Sequence, residues 1–491
     1  MKRPMFISLL FTAFSVTLCF YERKALFLCG IGLLSVIGIL IYQKAKLYNI
    51  IAVIFAFVTL VSLYKSYESI DRINLFSGNI ITDDFTVLSV DESGEDYTAL
   101  TVSCKNSRYL PNNIKLRFFV YEDIYLEDGN KINAKVEIFS IDHDKYRESY
   151  YSQNIFAKAK IIQINGIIDN HNFLGDVYHI RRYIRAAINN NLSPQSAATV
   201  NGILSGDKSG FSDEFYENVK RSGVSHVMVV SGMHLSIIMS MLLFFIDRII
   251  RNRGTRLVVC ALVILFICGI CGFTMSILRA AVMYLLIAIA YTLKRDTDIF
   301  NVLCGAVVLI LIFTPFALFN IGFELSVLAT FGVTVVGPAI LKKIKLNNKI
   351  ADAFISICVN SVAAQILTLP VTVYNFGMIS LFAPITNILI SYAVNINLII
   401  SALSVFLTLL SGSLSTVKPL YYLCDVITEF INFVINVIGE IKFSAFAVPQ
   451  KAATFITGII IIGTCVVFAC KNQKIRLLFK RKAVEHNADD F

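Results

Sequence analysis

The chain has 491 residues, of which 56% are hydrophobic and only 16% charged, and its mean hydropathy is +0.68. Soluble domains carry about a quarter charged residues, so this composition excludes a soluble enzyme and a disordered chain and calls for a polytopic α-helical membrane protein. The net charge of +10 is unevenly placed: residues 79–170 hold 10 Lys+Arg against 15 Asp+Glu, while the positive excess gathers in Asp247–Arg256, Lys342–Lys349 and Lys471–Lys482. Cytoplasmic loops collect Lys and Arg in this way, which weakens a nucleic-acid-binding reading of the basicity.

Three apolar runs come first, Met5–Phe20, Ala25–Tyr42 and Leu47–Tyr64. Each approaches the ~20 residues needed to cross ~30 Å of hydrocarbon. Lys2 and Arg3 lend the first run the look of a signal peptide. No small-residue cleavage site follows, so it reads as a membrane helix. With Lys2, Arg3, Lys44 and Lys46 on the inner side, residues 1–70 are N-terminal membrane helices and the next segment lies outside the cell.

Residues 76–170 alternate apolar and polar positions. Phe85–Val90 and Tyr97–Cys104 flank the turn Asp91–Glu95, and Ile114–Tyr121, Lys131–Ile141 and Ile155–Ile164 follow. Asp128-Gly129 supplies a tight turn before the fourth. Five short strands predict a small extracellular all-β domain, with an OB-like barrel as the leading form. Its aromatics Phe118, Phe119, Tyr121, Tyr146, Tyr150 and Tyr151 are of the kind on which single strands stack. Its acidic balance keeps plain packing as the alternative.

Residues 176–224 predict an interfacial helical segment, because Val177–Leu192 sets Arg181, Arg182 and Arg185 among apolar residues. Ser212 before Asp213 and Glu214 is a helix start. Residues 225–412 form a transmembrane domain with spans expected at 225–246, 257–274, 276–293, 298–314, 321–341 and 350–373. Leu381–Leu410, interrupted by Pro384, Asn387, Asn395 and Asn397, reads as two short spans or a re-entrant segment. Within 413–470, Val417–Ile441 carries Asp425, Glu429, Asn432, Asn436 and Glu440 at helical spacing. Such a stripe could line a pore, but acids would repel phosphate, so a helix resting at the outer interface is preferred. Thr454–Cys470 is a last span and 471–491 a basic cytoplasmic tail, giving ten to twelve crossings in all.

The polar residues with most to say lie in one stretch. Val224–Ser236 opens an apolar run yet carries His226, Ser231, Gly232 and His234, and just upstream Gly202–Gly210 contains Gly206, Asp207, Ser209 and Gly210. Ionisable groups in a span are costly and usually face a protein interior or a wet cavity. Broken helices are tolerated at such places. Arg279 and Glu324 each sit three residues into a span of the same direction, so an ion pair between them is expected, as a clamp or as a pathway-lining pair. A membrane hydrolase with Ser231 as nucleophile and His234 or His226 as base is the enzyme reading. The stretch lacks the Gly-x-Ser-x-Gly elbow, however. No Gly-x-x-x-x-Gly-Lys-Ser/Thr loop occurs either. Of 11 cysteines only Cys104 falls in the soluble segment, so no disulfide closes within it, and Cys268-x-x-Cys271, without a second pair, reads as packing rather than a metal site.

Gly206-Asp207-x-Ser209-Gly210, Ser222-Gly223-x-x-His226 and Ser231-Gly232-x-His234, followed in order by Arg279-Ala280-x-x-Met283, Pro315, Gly322-Phe323-x-Leu325-Ser326, Leu369-Pro370 and Pro384-x-x-Asn387, resemble the competence domain of the ComEC family of DNA-uptake channels. The likeness spans roughly residues 195–400, and Asp128-Gly129-x-x-Ile132 with Tyr146–Ile161 resembles the family's OB-like module. Glu324 stands where the family usually has Gln, and Met233 where Leu is common. The resemblance implies a non-enzymatic channel of the cell membrane, without cofactor, that passes single-stranded DNA inward during natural transformation. It also implies a membrane DNA receptor and a cytoplasmic helicase-like ATPase as partners. The residues it marks for the pathway are Gly206, Asp207, Ser209, Gly210, His226, Ser231, Gly232, His234, Arg279, Glu324, Pro370 and Asn387. Many members carry a metallo-β-lactamase-like module with a His-x-His-x-Asp-His cluster; the six histidines here, His143, His171, His179, His226, His234 and His486, form none, so any nuclease is expected to be a separate protein. A homo-oligomer stays open. The rival readings are a transporter of a small or lipid-linked molecule and the intramembrane hydrolase.

Overall fold

The computed structural model describes residues 4–21, 23, 29–30, 47–92, 97–105, 107, 109–111, 114–121, 126, 128–168, 173–228, 230–342, 344, 349–411 and 417–449. The expected spans Ala25–Tyr42, for the most part, and Thr454–Cys470, with the tail 471–491, lie outside these residues.

Two apolar helices open the chain, α1 (Pro4–Tyr21) and α2 (Leu47–Asn74). They pack together, and the Tyr67 hydroxyl donates to the Cys19 carbonyl at 2.9 Å. Five strands follow: β1 (Ile80–Glu92), β2 (Thr98–Cys104), β3 (Ile114–Val120), β4 (Lys131–Ser140) and β5 (Ile155–Ile168), with the short α3 (Arg147–Ser152) before the last. They close into a barrel of order β1-β2-β3-β5-β4, in which only β3 and β5 run parallel. The strict alternation in β3 sends Ile114, Leu116, Phe118 and Val120 inward. Closure depends on β1, which pairs with β4 over Ile80–Thr86 and with β2 over Phe85–Glu92, with a register shift between Val87 and Ser89. A bulge of this kind bends a strand and lets one strand serve two neighbours. Phe118 and Tyr151 are buried in the core, so neither belongs to any outward stacking surface.

The remaining elements are helical: α4 (Phe173–Asn189), α5 (Pro194–Ser205), α6 (Asp213–Arg221), α7 (Gly232–Ile249), α8 (Arg253–Ile270), α9 (Met275–Thr292), α10 (Ile299–Phe313), α11 (Ile321–Phe331) continuing through a π turn (Gly332–Val336) into α12 (Gly337–Leu341), α13 (Lys349–Phe376), α14 (Ala383–Ser411) and α15 (Lys418–Glu440). Two three-residue strands, β6 (Met378–Ser380) and β7 (Ala445–Ala447), pair between α13 and the end of α15. Among the described residues eight helices are long and apolar enough to cross a membrane, and the apolar helices Ser8–Tyr21 and Ile299–Phe313 are shorter. The protein is a polytopic membrane protein carrying a small OB-like barrel.

Two expectations are corrected here. Leu381–Leu410 is neither two short spans nor a re-entrant segment: α14 is one helix of 29 residues. Pro384 falls in its first turn, where a missing N–H breaks no helical bond. The α15 stripe does not turn outward as a whole: Asp425, Asn432 and Asn436 are hydrogen-bonded to Ser193, Thr199 and Asn218, while Glu429 and Glu440 are exposed, as are Tyr422, Val426, Phe430, Phe433 and Val437. The helix is among the eight long and apolar enough to cross a membrane.

The barrel is joined to the bundle at two places. The turn after α10 pushes Phe316 into an aromatic seam with Phe20, Tyr67, Tyr151 and Phe156. On the other side Arg181 of α4 reaches Asp128 at 3.4 Å, and the Asp128 carboxylate also accepts from the Val90 amide at 2.9 Å. Burial raises the Asp128 pKa, with Arg181 opposing. Gly129, at φ +95°, lies where a Cβ would stand 3.0 Å from the Tyr178 Cβ, so the helix can sit directly on the turn.

Candidate site at a polar break in the bundle

Residues 202–236 are ordered around close backbone passages. Gly206 ends α5 in the left-handed region, φ 79°, and its amide bonds the Gly202 carbonyl at 3.1 Å. A Cβ on Gly202 would stand 2.8 Å from the Met228 carbonyl oxygen, and one on Gly223 (φ +75°) 2.4 Å from the Ala383 Cβ. Only glycine permits either approach. The Asp207 carboxylate is engaged locally: it accepts from the Ser209 amide at 3.0 Å and hydroxyl at 2.8 Å, and pairs with Arg185 of α4 at 2.6 Å. Through α4, therefore, the barrel turn at Asp128 and the Gly206–Gly210 loop are linked by two ion pairs on one helix.

The helix break itself falls at Ser231-Gly232. Ser231 is the N-cap of α7, extended at φ −124°, so the span starts later than the expected 225. His234, fully buried, accepts the Ser231 amide on Nδ1 at 3.2 Å, and the Ser231 side chain accepts from the His234 amide in return. This is a reciprocal cap. It fixes the ring tautomer, placing the proton on Nε2, which has no hydrogen-bond partner. His234 therefore bonds the Ser231 amide and not its hydroxyl, so these two residues do not form a nucleophile–base pair. His226 is exposed in the turn before α7.

Arg279 and Glu324 do not pair, contrary to the expectation. Arg279 Nε donates to Ser326 Oγ at 2.7 Å, and its Nη1 lies 3.1 Å from the Met283 sulfur. Ser326 is two residues beyond Glu324, about 200° around a helix, so the face of α11 that meets Arg279 is not the one that carries the acid. Glu324 has Glu148, beside the barrel, as its charged neighbour. Helical phase, which depth arguments leave out, decided the matter. Gly232 packs directly on Arg279: a Cβ there would lie 2.7 Å from Nη2. Pro370 lies inside α13, and Asn387 is buried in the first turns of α14 with Oδ1 unbonded; no contact joins either to the Arg279 cluster.

Three of the aromatics named from the sequence, Phe119, Tyr121 and Tyr150, belong to a second surface, whose Tyr97, Lys158 and Lys160 are joined to them only across strands. On the outer face of β2, β3 and β5, Tyr97 stacks on Phe119 (5.5 Å) and Tyr121 (6.1 Å). Lys158 lies 5.8 Å from the Phe119 ring and 5.0 Å from Tyr150, and Lys160 5.3 Å from Tyr121. Asp144 pairs with Lys158. Strand register puts Tyr97, Phe119 and Tyr121 at the same barrel end as Asp128.

The family model for competence proteins, described as "Competence protein", matches residues 203–473. That is more than half of the chain, which belongs to this family. The chain is also 24% identical over 307 residues to ComE operon protein 3 of Bacillus subtilis (strain 168), an alignment covering 62% of this chain and 38% of the relative. The chain thus spans well under half of the length of that curated relative. No solved structure matches.

Proposed function

We propose that the protein is a membrane channel that passes single-stranded DNA into the cytoplasm during DNA uptake, with the barrel and the Ser231-Gly232 break on the outer side and the basic loops at 248–256 and 342–349 inside. The observation that carries this reading is the polar break itself: Ser231, His234 and Arg279 gather at one end of an apolar bundle, with Gly232 packed on Arg279 and His226 in the turn just before. Membership of the competence family supports the assignment. Each nucleotide carries a charge, and moving one bare charge into hydrocarbon has an idealised cost of order 20 kcal/mol, so the strand needs a wet, protein-lined route.

In this reading Gly202, Gly206 and Gly223 hold the close turns of the mouth, Asp207 fixes the loop Gly206–Gly210 against α4, and His226 and His234 face the route. Pulling force comes from a cytoplasmic helicase-like ATPase, delivery from a membrane DNA receptor, and removal of the other strand from a separate nuclease. The test is entry of a labelled single-stranded oligonucleotide into liposomes containing the purified chain and a single-strand-binding protein trapped inside. Protein-dependent accumulation is the expected result. No entry in correctly inserted vesicles, with flux of small or lipid-linked solutes instead, would transfer the assignment to the transporter reading.

A further inference from the structure

We propose that Arg279, together with the N-termini of α7, α9 and α11, forms an oxyanion site that holds one backbone phosphate of the passing strand; this rests on the DNA-channel reading above. Arg279 is only 6% exposed, yet among the described residues no carboxylate pairs with it. Its Nε is taken by Ser326 and its Nη1 by Met283, while Nη2, beside Gly232, makes no hydrogen bond among the described residues. A buried cation without a counter-ion is strongly unfavourable. The missing partner is an anion.

The surroundings select the same charge. Gly232 is the first residue of α7, Met275 of α9 and Ile321 of α11. Contacts from Arg279 to Gly232 and Ser326, and from Ser276 to Ser326 at 3.0 Å, bring the first two turns of α9 and α11 to the start of α7. Each N-terminus carries about half a positive charge; Ser231 caps the His234 amide of α7 and Asn320 the Phe323 amide of α11, while α9 has no side-chain cap. Two buried polar atoms near these termini have no partner: Thr274 Oγ1, at the N-cap of α9, and His234 Nε2, in the first turn of α7. The one acid close in sequence, Glu324, is carried round to the side of Glu148. A singly charged phosphodiester fits: the guanidinium fork matches its paired oxygens, and hydroxyls can bond the same group. Gly232 is then required because any side chain would occupy the place of Nη2.

The test measures binding of a fluorescein-labelled oligothymidine to the full chain in lipid nanodiscs across a salt series. Single strands lose affinity with a log–log slope of about −0.7 per neutralised phosphate. Arg279→Gln should bind about tenfold more weakly at low salt, with a slope shallower by about 0.7. Arg279→Lys should keep the slope. An oligonucleotide with a neutral methylphosphonate backbone should not distinguish the Gln variant from wild type. A purely structural arginine would lower thermal stability and leave the slope alone, and an unchanged slope in folded Arg279→Gln overturns the proposal. Should that variant fail to accumulate, Gly232→Ala, which crowds Nη2 without altering charge, should weaken binding at normal abundance; undiminished affinity would overturn the site equally. Wild type that binds no single strand at all would instead sink the DNA-channel reading on which this one rests.

Discussion

Two polar seams run through the apolar bundle, and they are finished differently. Where α14 meets α15, Asn397 Nδ2 donates to Thr428 at 2.9 Å, Asn397 Oδ1 takes the Cys424 thiol at 2.9 Å, Thr408 and Tyr421 share a 3.2 Å bond, and Asn432 receives the Thr199 hydroxyl of α5 at 2.8 Å. Where α7, α9 and α11 meet, Arg279 has no counter-ion, and His234 Nε2 and Thr274 Oγ1 no partner, among the described residues. The bonds between α14 and α15 hold helices together, although Ser196 Oγ of α5 and Asn387 and Asn395 Oδ1 of α14 also lack partners among the described residues. A buried charge without a counter-ion is tolerated at a functional price in stability, and it points to what must arrive from outside. Polarity alone does not separate the two seams; a buried cation with no carboxylate beside it among the described residues does.

The sharpest way to break this contrast is at His234. His234→Ala should abolish uptake in a competent host that lacks its own channel, at normal protein levels, because its Nε2 serves no packing partner. Wild-type transfer by that variant would return the open seam to plain structure. Next comes the loop that frames it. Asp207→Asn leaves Arg185 facing a lost carboxylate, and membrane abundance should fall together with uptake. If the two interact as the 2.6 Å contact indicates, the double Arg185→Gln, Asp207→Asn change will lower abundance by less than the two single losses added.

On the barrel, Phe119→Ala and Tyr121→Ala should each weaken single-strand binding by about 1–3 kcal/mol if a base stacks there, read by the same oligothymidine titration, with barrel folding unchanged because both rings lie outside the core. Equal affinity would leave the face to packing. The closed seam should answer otherwise: Asn397→Ala is expected to destabilise by about 1 kcal/mol, seen as faster unfolding in detergent, without any uptake defect beyond the loss of protein. Ser231→Ala, which removes only one arm of a reciprocal cap, should have the smallest effect, about 1 kcal/mol or less of helix stability. A complete loss of function from it at full abundance would favour the nucleophile reading instead.

Much was legible along the chain. Five strands, the turn at Asp128-Gly129, the Ser212 cap, whose hydroxyl takes the Phe215 amide at 3.2 Å, and most spans follow from local pattern. Misread places share a cause. Asn397 reads as an interruption of α14 because its partners, Thr428 and Cys424, lie on another helix, and Pro384 because its place in the first turn is set by where the helix begins. The stripe on α15 divides between Asp425, Asn432 and Asn436, which meet other helices, and the exposed Glu429 and Glu440, because hydrophobic periodicity tells which residues share a face and not what that face meets. Arg279 and Glu324 were joined by depth, while the rotation of α11 set them apart.

From residues alone come the membrane class, the barrel and the residues that interrupt the apolar run, since length, alternation and the placement of Gly, Pro and charge act over a few neighbours. Tertiary structure alone decides which of those interruptions are satisfied. Thr199 and Asn432 are 233 positions apart, Arg279 and Ser326 47. Whether a buried polar atom is glue or a vacancy depends on what another helix brings to within about 3 Å of it, and that distance is set by the packing of the whole bundle.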